Sequence, residues 1–422
     1  MPKSSLFFRN ARQVLTLSGR GFPRRGRDLA ELGIVRAGGV LTRGEKILRV
    51  GPSHTLEREA LRLKAREIDC RGQVLMPGFV DCHTHLVFAG NRVQDFEARV
   101  QGKSYLEIAR VGGGIQYTAS LTRQASEPEL VAQAEALLRQ FSAHGTTALE
   151  VKSGYGLDVR TELKILRVIR GLGRRSRLDL APTLLAAHAL PPGFKRRRSA
   201  YIARVVRELI PQAAGQNLAQ FVDCYLDRDA FTVAECRAVL AAGRRHGLTP
   251  RVHAEQLSRT GGIQLAVELG AASADHLDFA NAADIRRLAG SNVVAVLLPG
   301  SNFFLGSSQL PPARRLIDAG AAVALATDFN PGTSPVLNMQ FVLSLATTQL
   351  RMTPAEAVCA TTLNAAHALR RADQVGSLEP GKLADLVLMD VCDYREIPYF
   401  FASNHCAMTV KRGRVIHSRK SP

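Results

Sequence analysis

Val74-Leu75-Met76-Pro77-Gly78-Phe79-Val80-Asp81-Cys82-His83-Thr84-His85 begins as a near-continuous apolar run and ends in two imidazoles. A short apolar run of this kind reads as a buried strand. Side chains two apart on a strand project from the same face, so His83 and His85 share one space. Two neutral imidazoles on a rigid element make half of a first-row metal site.

Working outward, strand-like and helix-like segments alternate from about residue 74 to about 370. Eight runs read as buried strands: 79–82, 146–151, 178–185, 220–225, 249–252, 272–274, 293–297 and 322–326. The helices between them have legible starts. Ser126 with Glu129 forms a capping box ahead of Leu130, Ala134, Leu137, Leu138 and Phe141 at helical spacing, and Gly145 stops the run. Thr232 with Glu235, and Thr353 with Pro354 and Glu356, open two more. This alternation predicts an α/β fold, a (β/α)8 TIM-like barrel over residues 74–373. Residues 1–73 and 374–422 carry short β-rich runs at 13–16, 46–50, 386–389 and 408–410 instead. They are expected to join as one small β-sandwich domain built from both termini.

The 422 residues suit a barrel of about 250 residues or more with such an appendage. No stretch approaches the roughly 18 apolar residues of a membrane span. Arg9 and Arg12 interrupt the opening segment before it reaches signal length. Seven cysteines without a Cys-x-x-Cys pair argue for a reducing compartment, so a cytoplasmic protein with no membrane partner is expected. The net charge of +19 collects in Arg20, Arg24, Arg25 and Arg27, in Arg174, Arg175 and Arg177, and in Lys195 to Arg198. Phosphate contacts with nucleic acid are one reading of such clusters. Trp is absent and no aromatics interleave with the clusters, so bases have little to stack on. Solvated faces that keep the chain soluble, or steer an anionic substrate inward, fit better.

In barrels of this kind functional groups gather where strands hand over to the following loops. The first strand ends at His83 and His85, and the second runs into Glu150-Val151-Lys152-Ser153-Gly154-Tyr155. His188 follows the third, His253-Ala254-Glu255-Gln256 the fifth, and Asp275-His276 the sixth. The eighth delivers Asp328-Phe329-Asn330-Pro331-Gly332-Thr333. Three His and one Asp among these give N and O donors for zinc or iron without a thiolate. His144 and His246 merely precede helix-ending glycines, and His367 lies in an Ala-rich helical run.

Asp81-Cys82-His83-Thr84-His85-Leu86-Val87-Phe88-Ala89-Gly90-Asn91-Arg92 resembles the signature of the imidazolonepropionase family, the amidohydrolases of histidine degradation. So do Tyr105 with Gly112-Gly113-Gly114-Ile115, Ala274-Asp275-His276, Leu297-Leu298-Pro299-Gly300 and Ala326-Thr327-Asp328-Phe329-Asn330-Pro331-Gly332-Thr333-Ser334-Pro335. The closing Gly376-Ser377-Leu378-Glu379-Pro380-Gly381 is similar to that of many amidohydrolases. The resemblance implies hydrolysis of a small-molecule substrate, 4-imidazolone-5-propanoate, to N-formimidoyl-L-glutamate with one Zn2+ or Fe3+ per subunit, in a homodimer. It makes His83, His85, His253 and Asp328 metal ligands, and Arg92, Tyr155, His188, Asn330, Gly332 and Thr333 substrate contacts. The fourth strand carries no Lys that could become a carbamate between two ions, which favours one.

Catalytic roles are expected of Asp328, which takes the proton of the attacking water, and of His276, which polarises the carbonyl. Arg92 would hold the propionate with a bidentate fork, while Tyr155 and Asn330 hydrogen-bond the ring. Some relatives place a Glu where this chain has Gln256. Gln exchanges no proton near neutral pH and can only orient, which leaves Glu255 as a weaker substitute. Another mononuclear amidohydrolase or deaminase of a cyclic amide or amidine shares the ligands. A non-catalytic nucleic-acid binder is the reading from a different class.

Overall fold

The computed structural model describes residues 4–19, 21–103, 107–108 and 112–419, so Arg20 and Tyr105 lie outside the described residues. Its strands form two sheets of eight. Five come from the N-terminal side: β1 (Ser5–Leu15), β2 (Ile34–Arg43), β3 (Lys46–Pro52), β4 (Arg66–Asp69) and β5 (Val74–Pro77). The barrel contributes β6 (Phe79–Asp81), β7 (Thr146–Lys152), β8 (Asp179–Ala187), β9 (Phe221–Leu226), β10 (Thr249–Ala254), β11 (Ser273–His276), β12 (Val294–Leu297) and β13 (Val323–Leu325). β14 (Leu386–Met389), β15 (Cys406–Lys411) and β16 (Arg414–Ser418) close the chain.

The termini meet as expected. Their strands run in the order β16-β15-β14-β5-β1-β2-β3, with β4 added to β1. The sheet curls until its far strands approach: the Ile47 amide donates to Lys382 O at 2.9 Å, and Ile47 shares a core with Leu75, Leu386 and Val410. One element differs from the sequence reading. Val74–Pro77, taken there as the lead into the barrel, pairs with β1 and β14 in the sheet of the termini. The chain changes sheets at Gly78, where a Cβ would lie 2.2 Å from Thr147 Cγ2, so any side chain would displace β7. A continuous apolar run carries no mark of that change beyond Pro77-Gly78.

β6 to β13 pair in parallel in chain order, each on one of the eight expected runs. The capping boxes at Ser126, Thr232 and Thr353 are all formed, and Leu130, Ala134, Leu138 and Phe141 are the buried face of helix Glu127–Ala143. β6 and β13 close the ring beyond their own ends. There Thr84 pairs with Phe329, the His85 amide donates to Phe329 O at 2.8 Å, and the Asp328 amide donates to His83 O at 3.1 Å.

Among the described residues no helix is long and apolar enough to cross a membrane, and all seven cysteines are free thiols. Part of the basic charge does structural work. Arg25 donates to the carbonyls of Ala289, Ser291 and Gly320, and Arg198 forks onto Glu235 at 2.8 and 2.7 Å.

Lys411 joins the two sheets. Its buried ammonium contacts Asp385 beside β14 and Asp179 of β8, the latter at 2.6 Å. Removing one partner of a buried ion pair leaves an uncompensated charge and costs about 3–5 kcal/mol. Lys411→Met is expected to lower unfolding free energy by about 3 kcal/mol, read as a lower denaturant midpoint. An unchanged midpoint would show that the clamp contributes nothing.

Candidate active site

The barrel's C-terminal mouth gathers five of the singled-out residues. One ligand atom each from His83, His85 and His253 lie within 4.8 Å of one another, and so do those of His83, His276 and Asp328. Asp328 Oδ1 is 3.5 Å from His83 Nε2 and 3.6 Å from His85 Nε2. All five side chains are buried. Burial holds His83, His85 and His276 well below the ordinary imidazole pKa, so their ring nitrogens are neutral and their lone pairs available. Burial also raises the carboxyl of Asp328, against a weaker opposing pull from Asn330 and Lys152.

Among the described residues His83 Nε2 and His253 Nε2 are buried without a hydrogen-bond partner. Leaving such an atom unpaired costs about 1–3 kcal/mol. Two strand-end residues also sit at positive φ, His276 at 79° and Asp328 at 54°. Strain of this kind costs of order 1–3 kcal/mol per residue and concentrates at functional sites. Neutral imidazoles with free lone pairs beside a carboxylate that lacks a countercharge are the donor set that Zn2+ or iron takes. The residues fit a metal cation.

The far ring nitrogens face carboxylates below them. His83 Nδ1 hydrogen-bonds Asp275 Oδ2 at 2.7 Å, and His253 Nδ1 lies 3.0 Å from Asp223 Oδ2, off the hydrogen-bonding direction. Carboxylates in this position fix tautomer and ring orientation in metal-ligating histidines. Asp223 stays well below the usual carboxylate range despite burial, because His253 and Lys152 face it. Lys152 is itself fully buried, yet Asp223 and Glu150 outweigh desolvation and keep it charged.

On the substrate side, His188 stacks on His85 with centroids 5.1 Å apart, and its Nδ1 bonds Gly154 O at 3.0 Å. Burial takes its pKa down to about 3. Tyr155 is buried with its ring 5.5 Å from His188 and 6.0 Å from His85. The loop that carries it is shaped by Glu162, whose carboxylate accepts from the amides of Gly154, Gly156 and Leu157. The Arg92 guanidinium lies over Gly332, where a Cβ would come within 0.9 Å of it, so any side chain there would push the guanidinium aside. Arg99 approaches the same glycine, with NH1 3.5 Å from its carbonyl oxygen.

Asn330 is tied into its own loop. Its Oδ1 accepts from the amides of Gly332 and Thr333, and its Nδ2 donates to Asp328 O and Thr333 Oγ1. The amide group is spent on its own loop. Glu255 points away from the cluster, accepting from the amides of Gly261, Gly262 and Ile263 at the start of helix Gly262–Glu268. It is not placed to stand in for a proton carrier. Gln256 is half-buried just past β10.

Sequence reasoning gave no role to the supporting charges Glu150, Lys152, Asp223, Arg251 and Asp275. They carry a signal. Glu150 and Lys152, like Arg251 and His253, are charged or ligating residues two apart on strands that are otherwise buried and apolar. At that spacing they share the inward face.

The amidohydrolase family model matches residues 231–416. Over nearly the whole chain the sequence is similar to curated imidazolonepropionases. It is 45% identical to that of Geobacillus kaustophilus over 414 residues, 97% of both chains. To that of Chloroflexus aggregans it is 44% identical over 426 residues, 99% of both. Among solved structures, an adenosine deaminase from Xanthomonas campestris with bound zinc matches with a TM-score of 0.70 and 20% identity, covering 99% of this chain and 94% of that one. A triazine hydrolase from Arthrobacter aurescens matches with a TM-score of 0.73 and 16% identity, covering 100% and 96%. At these identities the structures share the fold.

The imidazoles make a pH prediction for the metal-free protein. Unfolded histidines bind protons below about pH 6.5, whereas His83, His85, His188 and His276 resist protonation when folded. Each of these imidazoles therefore favours the unfolded chain as pH falls below about 6.5, whereas the buried carboxyls of Asp328, of Asp81, pushed up to about 7, and of Asp278, pushed up to about 8, favour the folded one. In the folded metal-free protein the ring signals of His83, His85, His188 and His276 should show no titration between pH 7.5 and pH 5. A titration midpoint near the ordinary imidazole value for any of the four would contradict the neutral cluster.

Proposed function

The chain belongs to the imidazolonepropionase family of amidohydrolases, and on that premise we propose that it hydrolyses 4-imidazolone-5-propanoate to N-formimidoyl-L-glutamate at the His83–Asp328 cluster. The observation that carries this reading is the meeting of unpaired buried imidazoles with the Arg92 guanidinium, which lies over Gly332 in the turn that follows Asp328. His83, His85, His253 and Asp328 would hold one Zn2+ or Fe3+ ion. Bound there, the ion supplies a Lewis acid and makes water nucleophilic near neutral pH.

The chain's own groups do the rest. Asp328 accepts a proton from the attacking water, and the new bond forms between the water oxygen and the ring carbonyl carbon. His276, neutral and within ligand reach of His83 and Asp328, hydrogen-bonds the carbonyl oxygen as charge builds on it. The C–N bond breaks, and the proton held by Asp328 passes to the departing nitrogen. Arg92 takes the propionate carboxylate, with Gly332 leaving room for its fork. Tyr155, His188 and Thr333 line the ring's side. Asn330 serves by fixing the Asp328–Thr333 turn, and Gln256 orients without exchanging a proton. A homodimer and a cytoplasmic location belong to the same proposal, the latter supported by seven free thiols.

A direct assay of the imidazolone against cyclic amidines and nucleobases tests the reading, and preference for a nucleobase would overturn it. Losing a charge-assisted bidentate contact is worth about 2–3 kcal/mol. Arg92→Ala should therefore raise KM on the order of 100-fold with bound metal unchanged, and loss of metal would count against the role. General acid–base groups contribute about 10²- to 10⁴-fold. Asp328→Asn should lower kcat by at least that much while circular dichroism stays the same, and near-normal turnover would remove its proton role.

A further inference from the structure

The barrel interior beneath the ligands holds a connected set of buried charges that the mechanism leaves unused. Lys152 Nζ lies 2.7 Å from Glu150 Oε1 and 2.7 Å from Asp223 Oδ2. It is 3.9 Å from Asp275 Oδ2, which Arg251 NH2 approaches at 3.2 Å. Arg251 Nε in turn lies 3.7 Å from Glu150 Oε1. Lys152, Glu150, Asp223, Arg251 and Asp275 are all wholly buried. The ends of this chain of contacts are two ligand histidines, since Asp223 faces His253 Nδ1 and Asp275 bonds His83 Nδ1. His83 follows β6, His253 stands on β10, and the groups between them come from β7, β9, β10 and β11.

A carboxylate can steer an imidazole only if its own position is fixed. Asp223 has one strong cationic partner, Lys152, which also grips Glu150 on the same strand. Glu150 is pinned in turn, accepting from the Thr183 hydroxyl and, at 3.2 Å, from the Thr84 amide between the two ligands His83 and His85. We propose that Lys152 is a positioning residue for the metal centre: its ammonium sets Asp223, and through Asp223 the ring of His253, while through Glu150 it ties that setting to the His83–His85 segment. Arg251 plays the parallel part for Asp275 and His83. The cluster holds two cations against three carboxylates, so it presents an excess negative charge to whatever cation the imidazoles bind.

This inference rests on the ligand assignment above, and its test separates the two. Holoenzyme reconstituted with Co2+ is challenged with excess chelator, and decay of the visible bands is followed in Lys152→Met, Asp223→Asn and the double variant. Outer-shell changes typically cost about 10- to 100-fold in metal affinity. Lys152→Met is expected to lose the ion faster by that factor and to shift the Co2+ bands with far-UV circular dichroism unchanged. Lys152→Arg should recover part of the loss. Because both residues act through one path, the double variant should lose metal no faster than the worse single one. Unshifted bands with loss within twofold of the parent would overturn the proposal, as would losses that multiply. Should Lys152→Met not fold, the charge-matched double variant compared with Asp223→Asn carries the test. Equal rates support the positioning role, and a further tenfold loss overturns it. A His253→Ala variant that keeps Co2+ as tightly as the parent would overturn the ligand assignment itself, whatever the lysine variants do.

Discussion

The barrel is closed by the same segments that carry its candidate ligands. β6 and β13 meet past their own ends, where Thr84 pairs with Phe329 and the backbones of His83 and His85 bond those of Asp328 and Phe329. Two imidazoles and a carboxylate are thus brought together by the hydrogen bonds that complete the ring. A change in closure would move the ligands, and a change in the ligands would strain the closure. The left-handed backbone at Asp328 and the orphaned ring nitrogens are tolerated because the rest of the barrel over-determines these positions.

Below that layer the interior departs from an apolar core. β7 is buried along its whole length, yet carries Glu150 and Lys152 on its inward face. Buried ions of this kind stabilise weakly at best, because desolvation offsets their attraction. Their use lies in direction: a carboxylate held by an ammonium cannot drift, and the imidazole it faces cannot turn. The same logic recurs in the loops. Glu162 gathers three amides beneath Tyr155, Glu255 gathers three at the start of a helix, and Asn330 ties the turn after Asp328.

Much of this was legible in the sequence. Eight apolar runs separated by capped helices specify the barrel, because period and capping signals are local and each run is long enough to be read alone. His83, His85, His253, His276 and Asp328 could be singled out because strand ends are where barrels keep their chemistry, and the fold brings them together. Three things were hidden. β2 was missed because Gly38 and Gly39 at its centre break the alternation that marks a half-buried strand. The sheet change at Gly78 was missed because both sides of it are apolar. The directions of Asn330 and Glu255 were hidden because sequence gives a side chain's chemistry and not its direction: each is a polar group beside the cluster, and each turns to satisfy backbone amides.

The mouth of the barrel completes the electrostatic picture. Arg92 and Arg99 converge on Gly332, and Asp95 is the nearby carboxylate, 3.9 Å from Arg92 Nε and also engaged with the Gly114 amide. Arg99 is further confined beside Phe304, with its guanidinium carbon 4.7 Å from the ring centroid, and burial together with Arg92 lowers its pKa. The two guanidiniums at Gly332 stand above an interior cluster whose own excess is negative. An anionic ring would be drawn in by its carboxylate and held there, with its uncharged amide turned toward the ligands. Guanidiniums on one side of the imidazoles and an excess of carboxylates on the other would orient a substrate of that shape before any single contact is made.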